Sequence, residues 1–169
     1  MNILLTGGAG YIGSHIVLAL IDNGHSVHII DDLSTGNKNL IPPSVPFYKC
    51  NINNSEKVAK IINKNKFDLL MHFAGFIKVE ESVKNPKKYF DNNTENAIQL
   101  FETCKKNNLK NIIFSSTAAV YGNIKNNVKV LEEDRLNPLN PYGESKIRVE
   151  EYLINNKDVI NFIILRYFN

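Results

Sequence analysis

Apolar residues along this chain gather in short runs, separated by stretches in which they recur every three or four positions. The runs fall at residues 2–5, 26–30, 46–50, 68–73, 111–115 and 161–167, and most consist of Ile, Leu, Val and Phe without polar alternation. Runs of that kind predict strands buried on both faces. Helical spacing appears between them at 11–23, 55–65, 86–107 and 141–155, the last opened by Pro141, where a missing N–H is harmless. Strand and helix therefore alternate, as in successive βαβ units.

One turn in this alternation carries chemistry. Thr6-Gly7-Gly8-Ala9-Gly10-Tyr11-Ile12-Gly13 joins the first strand to the first helix. Glycines let a backbone approach a pyrophosphate, and N–H groups at a helix start direct positive partial charge at an anion. The second strand ends in Asp31, about 20 residues further on, where a carboxylate accepts hydrogen bonds from ribose hydroxyls and repels a 2′-phosphate. No arginine follows it, so NAD is favoured over NADP. The expected fold is α/β: a doubly wound parallel sheet, the Rossmann NAD-binding fold, with strand order 3-2-1-4-5-6.

Ligands on such a sheet lie at the carboxyl ends of the strands. Phe73-Ala74-Gly75 follows the fourth strand, Ser115-Ser116-Thr117 the fifth, and Tyr142 and Lys146 open the next helix. Four residues apart on a helix, Tyr142 and Lys146 share a face, and an ammonium beside a phenol favours the phenolate. The expectation is a tyrosine whose pKa is lowered into the range of a base usable near neutral pH.

Composition narrows the class. With 169 residues, 43% apolar and 22% charged, the chain has the make-up of one globular domain, and no apolar stretch is long enough to span a bilayer. A net charge of +3 is spread over lysines interspersed with acids, without an arginine cluster, which argues against nucleic acid as a partner. Neither a membrane partner nor a metal is expected, and Cys50 and Cys104 read as reduced structural thiols of a cytoplasmic protein.

The glycine turn, Asp31-Asp32-Leu33-Ser34, His72-Phe73-Ala74-Gly75, Asp91-Asn92-Asn93, Ser115-Ser116-Thr117-Ala118-Ala119-Val120-Tyr121-Gly122, Asn140-Pro141-Tyr142-Gly143-Glu144-Ser145-Lys146 and Arg166-Tyr167-Phe168-Asn169 together span the chain. In their order and spacing the sequence resembles the extended short-chain dehydrogenase/reductase family, in its NAD-dependent epimerase/dehydratase branch. The resemblance implies an N-terminal NAD domain, here residues 1–169, and a smaller C-terminal domain that holds a UDP-sugar and is absent from this chain. Little turnover is expected of these residues alone.

By the same resemblance, Gly7, Gly10, Tyr11, Ile12 and Gly13 would line the pyrophosphate turn, Asp31 and Asp32 the adenosine ribose, and Asn51 and Ile52 the adenine. Phe73, Ala74, Gly75 and Asn92 would meet the middle of the cofactor. Tyr142 would take the proton from the sugar 4-hydroxyl while hydride passes from C4 to NAD⁺, with no net redox change once the keto sugar has turned over. Thr117 would hydrogen-bond the same hydroxyl, Lys146 would hold the nicotinamide ribose, Phe168 would lie near the nicotinamide, and Asn169 near the sugar-nucleotide phosphates. Ala118-Ala119 replaces the Asp-Glu pair of related dehydratases, and Ile77 stands where some relatives carry a lysine. A homodimer through helices 86–107 and 141–155 is also implied for the whole protein.

Overall fold

The structure is a computed structural model that describes residues 1–123 and 129–168. Its strands are β1 (Asn2–Thr6), β2 (Ser26–Asp31), β3 (Phe47–Lys49), β4 (Leu69–His72), β5 (Asn111–Thr117) and β6 (Asn161–Tyr167). They form one parallel sheet in the order β3-β2-β1-β4-β5-β6. That is the expected doubly wound order. The described helices are α1 (Tyr11–Asp22), α2 (Ser55–Asn65), α3 (Val79–Lys84), α4 (Pro86–Tyr89), α5 (Asn96–Lys106) and α6 (Pro141–Asn155).

Successive strand residues point to opposite faces, and here both faces are covered, which explains the unbroken apolar runs. Leu4, Ile30, Leu70, Ile112 and Phe114 face one way, into a core shared with Val58, Ile62, Leu100, Phe101, Val149 and Leu153 of α2, α5 and α6. Ile3, Leu5, Val27, Ile29 and Met71 face the other way, against Val17 of α1. Each fully buried aliphatic side chain contributes on the order of 2 kcal/mol. The second face is less well covered toward β6, where Ile163, paired in register with Ile113, is 56% exposed. None of the described helices is long and apolar enough to cross a membrane.

Three departures from the predicted elements bear on the site. The strand expected at 46–50 is regular only over Phe47–Lys49, although the Pro46 carbonyl still accepts from Ile29 N and Cys50 N still donates to Asp31 O. β5 runs to Thr117 because β6 pairs with it to the end, Thr117 against Tyr167. The long helix at 86–106 is interrupted by a π-helical turn, Phe90–Glu95, which carries Asn93 and Thr94 into the interior. The short α3, six residues with Val83 exposed, has too little apolar periodicity to be visible in the sequence.

Candidate active site

The carboxyl ends of β1, β2, β3 and β4 open onto one cleft. Gly7, Gly10, Asp31, Asp32, Asn51, Ile52, Phe73, Ala74, Gly75 and Asn92 line it together, joined by Ser34, Thr35, Gly36, Cys50 and Phe76. Its floor depends on two glycines. Gly7 has φ +76°, and a Cβ there would stand 2.5 Å from Ala74 N; a Cβ on Gly13 would stand 2.1 Å from the Gly7 carbonyl. The helix start and the turn after β4 can therefore close on the β1 end only without side chains at these positions. Tyr11 and Ile12 lie just outside the cleft lining, at the exposed start of α1.

The first turn of α1 has no side-chain cap, whereas α2 and α6 begin with Asn54 and Asn140, whose side chains accept from Lys57 N and Gly143 N. Its N–H groups are thus left available to an external anion. At the other side of the cleft, Asp31 accepts from Ala9 N (3.0 Å) and Leu33 N (2.9 Å). Asp32 accepts from Ser34 N (2.9 Å) and from Asn51 Nδ2 (2.7 Å). Burial pushes the Asp32 carboxyl up, but the hydrogen bonds from Ser34 and Asn51 outweigh it and leave the group below the usual carboxylate range. An anion-accepting helix end, a glycine floor and paired acidic acceptors match the diphosphate and free vicinal ribose hydroxyls of NAD, and disfavour a 2′-phosphate. Asn51 does not point a free amide at an adenine: Nδ2 is bound to Asp32, and Oδ1 accepts from Asn53 N at 3.0 Å.

The turn after β4 is tied to the second half of the sheet by Asn93, which the sequence reading passed over in favour of Asn92. Its Oδ1 accepts from Phe76 N (2.8 Å) and its Nδ2 donates to Phe76 O (2.9 Å), clamping both backbone polar groups of one residue. Thr94 donates to Ser145 O at 2.8 Å, joining the π-helical turn to α6. The π turn is what brings both side chains inward, and nothing in local composition announces it. The neighbouring His72 is fully buried against Phe101 and Phe114, with Nδ1 2.6 Å from Thr6 Oγ1. Burial and then the nearby Lys146 ammonium lower its pKa to about 3, so the ring is neutral.

Thr117, Tyr142 and Lys146 meet beside this cleft. Asn140 caps α6 through its 2.8 Å bond from Gly143 N, and Pro141 occupies the first turn, which places Tyr142 and Lys146 on the buried face. Lys146 is 4% exposed; Nζ donates to Ser115 O at 2.9 Å, lies 5.0 Å from the centre of the Phe114 ring, and would be 3.4 Å from a Cβ on Gly75. Burial lowers its pKa to about 8, opposed by Glu150. Thr117 Oγ1 accepts from Ala119 N at 3.2 Å, capping the 3-10 turn Ala118–Tyr121 and leaving its own hydrogen to donate.

Tyr142 corrects one expectation. Its pKa is raised by burial, against which the Thr117 hydroxyl acts to lower it. The ammonium is turned toward the Ser115 carbonyl and the Phe114 ring instead of the phenol. Phe168 stands apart, 58% exposed and stacked on Tyr121 with ring centres 6.1 Å apart. Asn169 lies outside the described residues.

Comparison with known proteins agrees with this fold. The model of the NAD dependent epimerase/dehydratase family matches residues 3–169. The chain is 43% identical to the UDP-glucose 4-epimerase of Lactobacillus helveticus, covering 100% of this chain and 52% of that protein. It is also 43% identical to that of Azospirillum brasilense, covering 99% and 49%. Among solved structures, Thermus thermophilus UDP-glucose 4-epimerase in complex with NAD superposes with a TM-score of 0.95 at 32% identity, over 99% of this chain and 55% of that one. The UDP-Glc/GlcNAc 4-epimerase of Campylobacter jejuni does so at 0.93 and 40%, over 99% and 53%. The chain thus spans about half the length of the relatives it matches. With the family model matched over residues 3–169 and the fold superposing on these structures, it belongs to the NAD dependent epimerase/dehydratase family.

Proposed function

We propose that the protein carrying this chain is a UDP-glucose 4-epimerase, interconverting UDP-galactose and UDP-glucose with tightly bound NAD. The observation that carries the reading is Tyr142 beside Thr117, on the helix whose Lys146 reaches Gly75, at the edge of a cleft that Asp31 and Asp32 also line. NAD supplies reversible acceptance of the C4 hydrogen with its electron pair, and a positive charge when oxidised. Gly7, Gly10, Tyr11, Ile12 and Gly13 would hold its diphosphate, Asp31 and Asp32 the adenosine ribose, and Asn51 and Ile52 the adenine side. Phe73, Ala74, Gly75 and Asn92 would flank its middle.

Tyr142 takes the proton of the sugar 4-hydroxyl and returns it to the same oxygen once the keto sugar has turned its other face to the cofactor. Thr117, whose Oγ1 accepts from Ala119 N and keeps its hydrogen free, donates to that oxygen and steadies the keto sugar between the two transfers. Lys146 holds the nicotinamide ribose. Ala118-Ala119 supplies no second acid–base pair, which disfavours loss of water from the sugar. Phe168 would lie near the nicotinamide and Asn169 near the sugar-nucleotide phosphates, and the whole protein is proposed to be a cytoplasmic homodimer. Incubation of the whole protein with UDP-galactose, followed by proton NMR, is expected to show UDP-glucose without added oxidant. Release of a dehydrated or oxidised sugar, or no conversion, would contradict the proposal.

A further inference from the structure

A buried charge network lies behind the site and takes part in none of the steps above. Glu150 is 1% exposed and stands one turn beyond Lys146, so Tyr142, Lys146 and Glu150 share one face of α6 at i, i+4 and i+8. Arg166 on β6 grips its carboxylate, with Nη2 2.7 Å from Oε2 and Nε 3.2 Å from both oxygens. The Ser116 hydroxyl donates to Oε1. Arg166 reaches further, with Nη1 donating to Tyr121 OH (2.6 Å) and Glu132 O (2.9 Å) and the guanidinium 5.0 Å from the Tyr121 ring centre.

This network touches the site at two points. Ser116 precedes Thr117 and Tyr121 closes the 3-10 turn that follows it, so the ion pair holds the chain on both sides of Thr117. It does so from the helix that carries Tyr142 and Lys146. The second point is charge. The buried Lys146 ammonium faces the Ser115 carbonyl, the Phe114 ring and neutral His72 on β4, Tyr142 lies one turn back on its own helix, and Glu150 is the anionic group acting on it among the described residues. Buried ion pairs often add little stability over apolar side chains of similar volume, so burial of this one is weakly accounted for by folding alone.

We propose that Glu150 and Arg166 are positioning residues: together they fix Thr117 relative to Tyr142, and the Glu150 carboxylate keeps the buried Lys146 ammonium charged. The inference rests on the roles given above to Thr117, Tyr142 and Lys146.

The test is the titration of Lys146 in the protein, followed through its ¹³Cε resonance and assigned by the absence of that resonance in Lys146→Arg. Glu150→Gln keeps the shape and one acceptor oxygen but removes the charge, and is expected to lower the Lys146 midpoint by about one to two pH units. Glu150→Gln with Arg166→Gln removes both charges and leaves no lone buried cation; the midpoint is expected to fall in the same direction. Glu150→Asp retains the charge and is expected to restore a midpoint close to the parent's. A purely structural pair would change the melting temperature in these variants while leaving Lys146 unmoved. An unchanged midpoint in either neutral variant overturns the proposal, as does failure of both to fold, which would assign the pair to stability alone. The titration needs neither substrate nor cofactor: failure of the epimerase reading would appear as absent UDP-sugar conversion in a protein whose Lys146 still responds to Glu150.

Discussion

Lys146→Met is expected to make the protein more stable while abolishing its chemistry. Burial brings the ammonium from an ordinary pKa of 10.5 to about 8. Below pH 8 the folded protein therefore carries a charge that costs about 3 kcal/mol relative to the solvated side chain of the unfolded chain. Methionine keeps the unbranched stem and loses the 2.9 Å bond to the Ser115 carbonyl, worth about 1 kcal/mol. The expected gain at pH 7 is about 2 kcal/mol. Its pH dependence has a definite sign. Between pH 8 and 10.5 the unfolded chain holds a proton that the folded chain has released, so the parent gains stability as pH rises and the variant does not. The gap should close by about 1.4 kcal/mol per pH unit above pH 8, vanishing near pH 9.5. Urea denaturation of parent and variant at pH 7 and pH 9.5 measures this, since other titrations common to both cancel. A variant less stable than the parent at pH 7, or a gap that does not change between the two pH values, would refute the reasoning.

Gly13→Ala would drive a Cβ to 2.1 Å from the Gly7 carbonyl; a loss on the order of 3 kcal/mol or more is expected in thermal denaturation, and an unchanged melting temperature would contradict the packing described. Tyr142→Phe removes the proton acceptor but little volume, so turnover of UDP-galactose by the whole protein should fall at least about 10²-fold with NAD retained, as judged by cofactor content after gel filtration. Asn51→Asp exchanges the 2.7 Å donor to Asp32 for a second carboxylate; calorimetric titration should show weaker NAD binding at neutral pH that partly recovers as pH falls. Equal affinity for NAD in variant and parent would remove Asn51 from the support of Asp32.

Much of this fold was legible because burial on both faces of a parallel sheet leaves an unambiguous mark. Ile3, Leu4 and Leu5 enter opposite cores in turn, and no polar position interrupts them. The cleft was legible for a related reason, since Gly7, Asp31 and Phe73 to Gly75 all sit at strand ends, where the connectivity itself converges. Side-chain aim was not legible. Helical spacing put Tyr142 and Lys146 on one face correctly, yet the ammonium points to Ser115 O and the phenol is raised by burial instead of lowered by charge. Asn93 escaped because the π turn shifts the face of the helix that points inward. Glu150 left a trace that could have been read: with Lys146 it occupies the same stripe as Val149 and Leu153, and charges in an apolar stripe require partners. The partner, Arg166, comes from a strand at the far end of the chain, and no local pattern connects the two.

The claim at the centre of this account is that hydrogen leaves C4 of a UDP-sugar and returns to it within one closed site. The direct measurement is conversion of UDP-galactose deuterated at C4 by the whole protein in ordinary water, with the product analysed by NMR and mass spectrometry. Recovery of UDP-glucose that retains the deuterium at C4 is the predicted result. Product that has exchanged the label with solvent, or carries it at another carbon, would contradict the account.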